Sequence, residues 1–165
     1  MSFRVVILSR KPENLVPCLR ALFRHDPIDP AHVIVVDDGA RAKAERHIRQ
    51  PITWMTGRKP FCYARNVNLA VKACAPADVI LLNDDALLET ACGLTRLNQQ
   101  AIDRAHGILS AHIRGFIGVT DHRMAQYARQ TPSMVCFICV AVPRRTWNLV
   151  GLLDERYRGY GWEDN

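Results

Sequence analysis

Two adjacent carboxylates, Asp84 and Asp85, follow Asn83 at the end of the aliphatic run Val79-Ile80-Leu81-Leu82. Neighbouring carboxylates repel each other and resist desolvation, so a counter-charge belongs beside them. A divalent cation with oxygen ligands supplies one. A second doublet, Asp37-Asp38, closes the run Val33-Ile34-Val35-Val36 and precedes Gly39, a residue that permits a tight turn and a close ligand approach. A third acidic pair, Glu163-Asp164, stands at the end of the chain, and basic residues fall at Arg10-Lys11, Arg58-Lys59 and Arg65. Acids and bases on one rim suit a metal-bound pyrophosphate, whose charge the cation and the Arg and Lys side chains share. Each cluster alone has a plainer reading. Asp is a good helix N-cap and Asp85 stands just before Ala86-Leu87-Leu88-Glu89, while isolated basic loops are ordinary solvated surface.

The elements that must position these groups alternate regularly. Strand-like runs at 4–9, 33–36, 52–55 and 79–82 are separated by helical patterns at 13–24, 41–49 and 64–73. In the first helix Leu15, Leu19, Leu22 and Phe23 share one face, and Pro17 is tolerable if it falls in the first turn. Such alternation predicts an α/β fold with a mostly parallel sheet flanked by helices on both faces. Strands buried on both faces read as unbroken aliphatic runs, and their carboxyl ends form the edge where open α/β sheets bind ligands. Both internal acidic doublets are then delivered to one edge. Beyond Asp85 the pattern predicts a helix over 89–104, a strand over 107–111, a buried strand over 134–142 and a helix from Pro143 to Val150, with 114–133 unassigned.

The chain has 165 residues, 48% of them hydrophobic, which is enough for one cored domain over residues 1–165. No apolar run approaches the ~20 residues of a transmembrane helix, and Val5-Val6-Ile7-Leu8 is too short for a signal peptide's apolar region. A cytoplasmic location is expected. Net charge is +6, and the excess lies in residues 1–65, which carry 12 Lys/Arg against 6 Asp/Glu. That surplus suits an anionic ligand, or peripheral contact with the inner face of a membrane. Nucleic acid is disfavoured, because no recognition helix, aromatic RNA-binding strand or zinc finger accompanies the charge. Cys136 and Cys139 have a C-x-x-C spacing but fall in a strand-like run without a second ligand pair, so zinc or redox chemistry is the weaker reading. The six histidines show no paired ligand spacing.

Several motifs resemble those of the family 2 glycosyltransferases of GT-A (Rossmann-like) fold. Val6-Ile7-Leu8-Ser9-Arg10, with Pro12-Glu13-Asn14-Leu15, is similar to the family's opening strand and helix. Val35-Val36-Asp37-Asp38-Gly39 resembles its second-strand motif, and Ala64-Arg65-Asn66 the start of its next helix. Leu81-Leu82-Asn83-Asp84-Asp85 resembles a variant D-x-D motif, and Gly159-Tyr160-Gly161-Trp162-Glu163-Asp164 the stretch ending in the catalytic Glu-Asp.

The resemblance implies a nucleoside-diphosphate sugar donor bound by Ser9, Asp37, Asp38, Arg65 and Asp84. It also implies Mn²⁺ or Mg²⁺ on Asp85, and Asp164 with Glu163 as the catalytic pair in an inverting transfer to a glycan, lipid-linked or other hydroxyl acceptor. Trp162 packs on a sugar face or in the core; Tyr157 and Tyr160 share that ambiguity. The chain departs from the family at Asn83, which opens the D-x-D position. It also ends at Asn165, one residue after the implied base, and so is expected to lack a C-terminal part. Rival readings are a nucleotide-sugar-binding remnant without turnover and a nucleotidyltransferase. The segment Ser9-Arg10-Lys11-Pro12-Glu13 lacks the glycines that a nucleotidyltransferase loop carries.

Overall fold

The aliphatic runs form the centre of a single sheet. A computed structural model describes residues 3–105, 107–112, 135 and 137–157. The strands are β1 (Phe3–Ser9), β2 (Val33–Asp37), β3 (Thr53–Thr56), β4 (Asp78–Leu82), β5 (Leu109–Ser110) and β6 (Cys139–Val142). The helices are α1 (Pro12–His25), α2 (Arg41–Ala44), α3 (Tyr63–Ala73), α4 (Gly93–Asp103) and α5 (Arg144–Val150). The strand order is β3-β2-β1-β4-β6-β5. β1 pairs in parallel with both β2 and β4, and β2 with β3. No described helix is long and apolar enough to cross a membrane.

Helices cover both faces of this sheet, because successive strand residues point to opposite sides. Val5, Ile7, Val33, Val35 and Ile80 pack with Leu15, Leu19 and Leu22 of α1 and Leu94 of α4. Val6, Ile34, Val36, Val79 and Leu81 pack on the other side with Val67, Ala70 and Val71 of α3 and Trp147 of α5. The two cores account for the unbroken Val/Ile/Leu runs, since neither strand face meets water.

The structure differs from the sequence pattern at four places. α1 begins at Pro12, so Pro17 lies beyond the first turn, inside the helix. It has no N–H to offer the carbonyl of Glu13, and its place on the exposed side of the helix leaves that carbonyl a route to water. β6 starts only at Cys139, after a turn at 137–138, and runs antiparallel to β4 and β5. Its hydrophobicity reports burial, which does not specify strand direction. The helix at 41–49 reduces to α2 and a 3₁₀ turn at Glu45–His47.

The fourth difference concerns α4, which begins at Gly93 rather than 89. Its own N-cap residue, Cys92, has φ 54° and supplies no side-chain cap. The cap comes from Asp26, just past the end of α1. Its Oδ2 accepts from the N–H groups of Leu94 at 2.8 Å and Thr95 at 3.0 Å, and its Oδ1 from the Thr95 hydroxyl at 2.6 Å. A carboxylate at a helix N-terminus also complements the helix dipole. Asp26 is 2% exposed, so removing it leaves buried donors without acceptors. Asp26→Ala is expected to cost about 2–4 kcal/mol of folding stability, and Thr95→Ala about 1 kcal/mol, read from denaturant midpoints.

Candidate functional site

The parallel register sets the first part of the site. Ser9 ends β1 opposite Asp37, and β1 pairs Val6 with Leu81 of β4. Carried three residues on, that second register places Ser9 opposite Asp84. Its hydroxyl donates to Asp84 Oδ2 at 2.7 Å. Strand order reverses between β1 and β4, so this bridge spans the crevice where doubly wound sheets bind ligands. Ser9, Asp38, Asp84 and Asp85 line one cleft of about 450 Å³. Its walls are completed by Arg10, Lys11 and Asn14 on one side and Phe61 and Tyr63 on the other.

Asp85 is exposed at the cleft and is not a helix cap, since the next helix begins eight residues later at Gly93. The plainer reading of the doublet is therefore set aside. Asp84 is half-buried, and its carboxyl is held above the usual range, first by that burial and also by the charge of Asp85. Hydrogen bonds from Ser9 and Asn14 and the charge of Lys11 oppose the shift. The same negative field reaches the Cys18 thiol below, which donates to the Asn83 carbonyl at 3.6 Å. Burial first, then Asp84, push that thiol up to about 12.

At the β2 end the backbone turns sharply. Gly39 has φ +126°, a conformation that favours glycine. Asp37 Oδ1 accepts from the N–H groups of Gly39 at 2.8 Å and Arg41 at 3.0 Å, so one oxygen shapes the turn and the start of α2. Asp37 stands behind the cleft wall, whereas Asp38 lines it and pairs with the Lys59 ammonium.

Segment 57–62, of which the sequence marked only the basic pair Arg58-Lys59, closes this side. Gly57 N–H donates to the Asp37 carbonyl at 2.8 Å, and a β-carbon on Gly57 would lie 2.9 Å from that oxygen. The fully buried Asn66 accepts from Arg58 N–H at 2.7 Å and returns a bond to the Arg58 carbonyl at 3.4 Å. Arg65 lies outside the cleft, and its guanidinium binds the Pro60 carbonyl. Asn68, one helical step further along, ties down segment 151–157. It accepts from Leu153 N–H at 2.9 Å and donates to the Leu153 carbonyl at 2.9 Å and Glu155 Oε1 at 3.0 Å. The Ala-Arg-Asn motif offered the signal for Asn66; nothing local marked Asn68. Glu163 and Asp164, with Tyr160 and Trp162, lie outside the described residues.

No protein-family model matches the sequence, and no curated protein matches it. Solved structures do. A mannosyltransferase from Pyrobaculum calidifontis, in complex with GDP-mannose and Mn²⁺, superposes with a TM-score of 0.72 at 18% identity, covering 93% of this chain. The fold is GT-A. TarS from S. aureus matches with a TM-score of 0.68 at 14% identity over 97% of the chain. The chain spans about half the length of these two structures, 47% and 52%.

Within this GT-A sheet the acidic doublet suits a divalent cation. Mg²⁺ and Mn²⁺ sites are commonly built from one or two carboxylates, with phosphate and water oxygens completing the shell. Among the described residues no group of three or more His, Cys, Asp or Glu side chains is placed to hold a metal ion. Asp85 is open to the cleft, and its charge adds to the burial that raises the proton affinity of Asp84, so a cation here would offset part of that penalty. Cys139, the described member of the C-x-x-C pair, is buried at the start of β6, and burial pushes its thiol up to about 12.

The strain on Asp84 has a measurable consequence. The folded chain holds this proton more tightly than the unfolded chain, so stability falls as pH rises from the ordinary carboxylate range through the raised value. Asp84→Asn keeps an acceptor for Ser9 and removes the charge. In metal-free buffer at pH 7 the variant is expected to melt about 2 °C above wild type, a small shift because the carboxylate is partly solvated. The difference should vanish near pH 3, where both forms are neutral, as melting curves across pH will show.

Proposed function

We propose that the chain is a metal-dependent glycosyltransferase domain, moving a sugar from a nucleoside-diphosphate donor to an acceptor hydroxyl with inversion at the anomeric carbon. The observation that carries this reading is the Ser9–Asp84 bridge across the sheet's switch point, with Asp85 exposed beside it and Arg10 and Lys11 on the facing wall. Leaving-group departure builds charge on the β-phosphate, and groups placed in advance around that charge lower the barrier. The GT-A fold, and the GDP-mannose and Mn²⁺ in the mannosyltransferase complex, support a nucleotide-sugar ligand for this cleft. Similarity of fold does not carry a specific donor or acceptor with it.

In this mechanism Asp85 would hold Mn²⁺ or Mg²⁺, which would neutralise charge on the departing diphosphate. Asp84 is set by the Ser9 hydroxyl and orients the donor's ribose or a water. Arg10 and Lys11 bind phosphate oxygens from the β1 side. Asp37 and Asp38 lie at the nucleoside end, where Asp37 shapes the turn and Asp38 is held by the Lys59 ammonium. Arg65 acts through the segment it ties, keeping Pro60 and its neighbours against the cleft. Asp164, next to Glu163, takes the proton from the acceptor hydroxyl as that oxygen attacks. The acceptor is a glycan, a lipid-linked sugar or another hydroxyl compound, reached at the cytoplasmic side.

Calorimetric titration tests the donor half. GDP and UDP, tried in turn with Mn²⁺, should yield at least one complex that weakens by about tenfold or more when EDTA replaces the metal, a loss of about 1.4 kcal/mol. Asp85→Ala in Mn²⁺ should show the same loss. Equal affinity with and without metal would remove the cation from the mechanism. For the base, Asp164→Asn should lower the transfer rate by about 10²–10⁴-fold in a protein competent for transfer while leaving donor affinity unchanged. Metal-dependent binding without any transfer would identify a nucleotide-sugar-binding domain instead.

A further inference from the structure

We infer that Phe61 is the platform on which the donor's nucleobase stacks, an assignment that rests on the nucleotide-sugar reading above. Phe61 is 43% exposed and lines the cleft. It is absent from both hydrophobic clusters of the described residues, whereas its neighbour in the wall, Tyr63, packs against the α3 side of the core. The turn after β1, residues 9–12, contains no aromatic side chain. An aromatic left bare in a cleft whose other contributors include five charged side chains gains by covering itself with a flat apolar surface.

The segment that carries Phe61 is tied at each of the four residues before it. Gly57 is bonded to the Asp37 carbonyl, Arg58 to Asn66 in both directions, Lys59 to Asp38, and the Pro60 carbonyl to Arg65. Cys62, the next residue, is buried. The ring therefore sits on a backbone that is already ordered, so a ligand that stacks on it pays little to organise the wall. Two of these ties run to the end of β2, which puts Phe61 at that end of the cleft. Asp85 follows β4, two strand spacings or about 10 Å away. A nucleotide with its diphosphate at Asp85, Arg10 and Lys11 thus extends its base towards Asp38 and Phe61. Every nucleobase has a π-face, so this contact supplies affinity for the base in general.

Calorimetry of the 165-residue chain in Mn²⁺ tests the assignment with three probes: GDP, UDP and inorganic pyrophosphate, the last having no base. Phe61→Ala should weaken the better-bound nucleoside diphosphate about 5- to 100-fold, while pyrophosphate affinity stays within about twofold. Phe61→Trp, which keeps a stacking surface, should retain nucleotide affinity within about threefold, and Phe61→Leu, apolar but without a π-face, should fall with Ala. Unchanged nucleotide affinity in Phe61→Ala overturns the assignment and leaves the donor reading standing. So does an equal loss of pyrophosphate binding, which would show that the substitution damaged the cleft. If wild type binds neither nucleotide, the donor reading falls and this assignment with it.

Discussion

The cleft depends on β1 being paired in parallel on both sides. One register aligns Ser9 with Asp37, and the other carries it to Asp84, so a single strand end gathers acids that are separated by almost 50 residues in the chain. Because side chains alternate across a sheet, a slip of one residue in either ladder would reverse which groups face the cleft. The slip is prevented by the cores. Val5 and Ile7 are buried on one face and Val6 on the other, and each must meet its own helices. Hydrophobic packing therefore determines where the polar chemistry sits.

That placement has a cost, visible in the electrostatics. Asp84 is pressed between burial and the charge of Asp85, and the Ser9 hydroxyl offsets only part of the penalty. Perturbed carboxylates of this kind cluster at functional sites. The opposite wall is made by different means. Four backbone or side-chain ties hold segment 57–62 where regular secondary structure is lacking, and Asn66 and Asn68 on α3 reach in two directions. Asn66 secures the segment before the helix, Asn68 the segment that follows α5. Side-chain amides suit this task because each carries both a donor and an acceptor and can match a backbone unit.

Much of the fold was legible because its strongest signals are local. Aliphatic runs, helical periodicity and Gly39 after Asp38 each state a requirement within a few residues. The α/β class, the parallel core and the shared edge of the two acidic doublets follow from them. Misplaced elements arose where the deciding partner is remote. α4 starts at Gly93 because Asp26, near the end of α1, caps it across 68 positions of sequence. β6 runs antiparallel because it is threaded between β4 and β5, and burial alone makes the same pattern in either direction.

The sequence by itself determined that acids would end buried strands and that basic residues would stand close by in the chain, since residue type and spacing suffice for that. Tertiary structure alone decided which of them face one another. It separated Asp38 from Asp37, put Asp84 on Ser9, left Asp85 open, and turned Arg65 towards a backbone carbonyl. It also exposed Phe61 in the cleft, which no local pattern marked. The physical reason is the range of the interactions. Burial periodicity and turn chemistry act over a few residues, whereas a hydrogen bond or a charge contact forms between whatever atoms the packed strands and helices bring within a few ångströms.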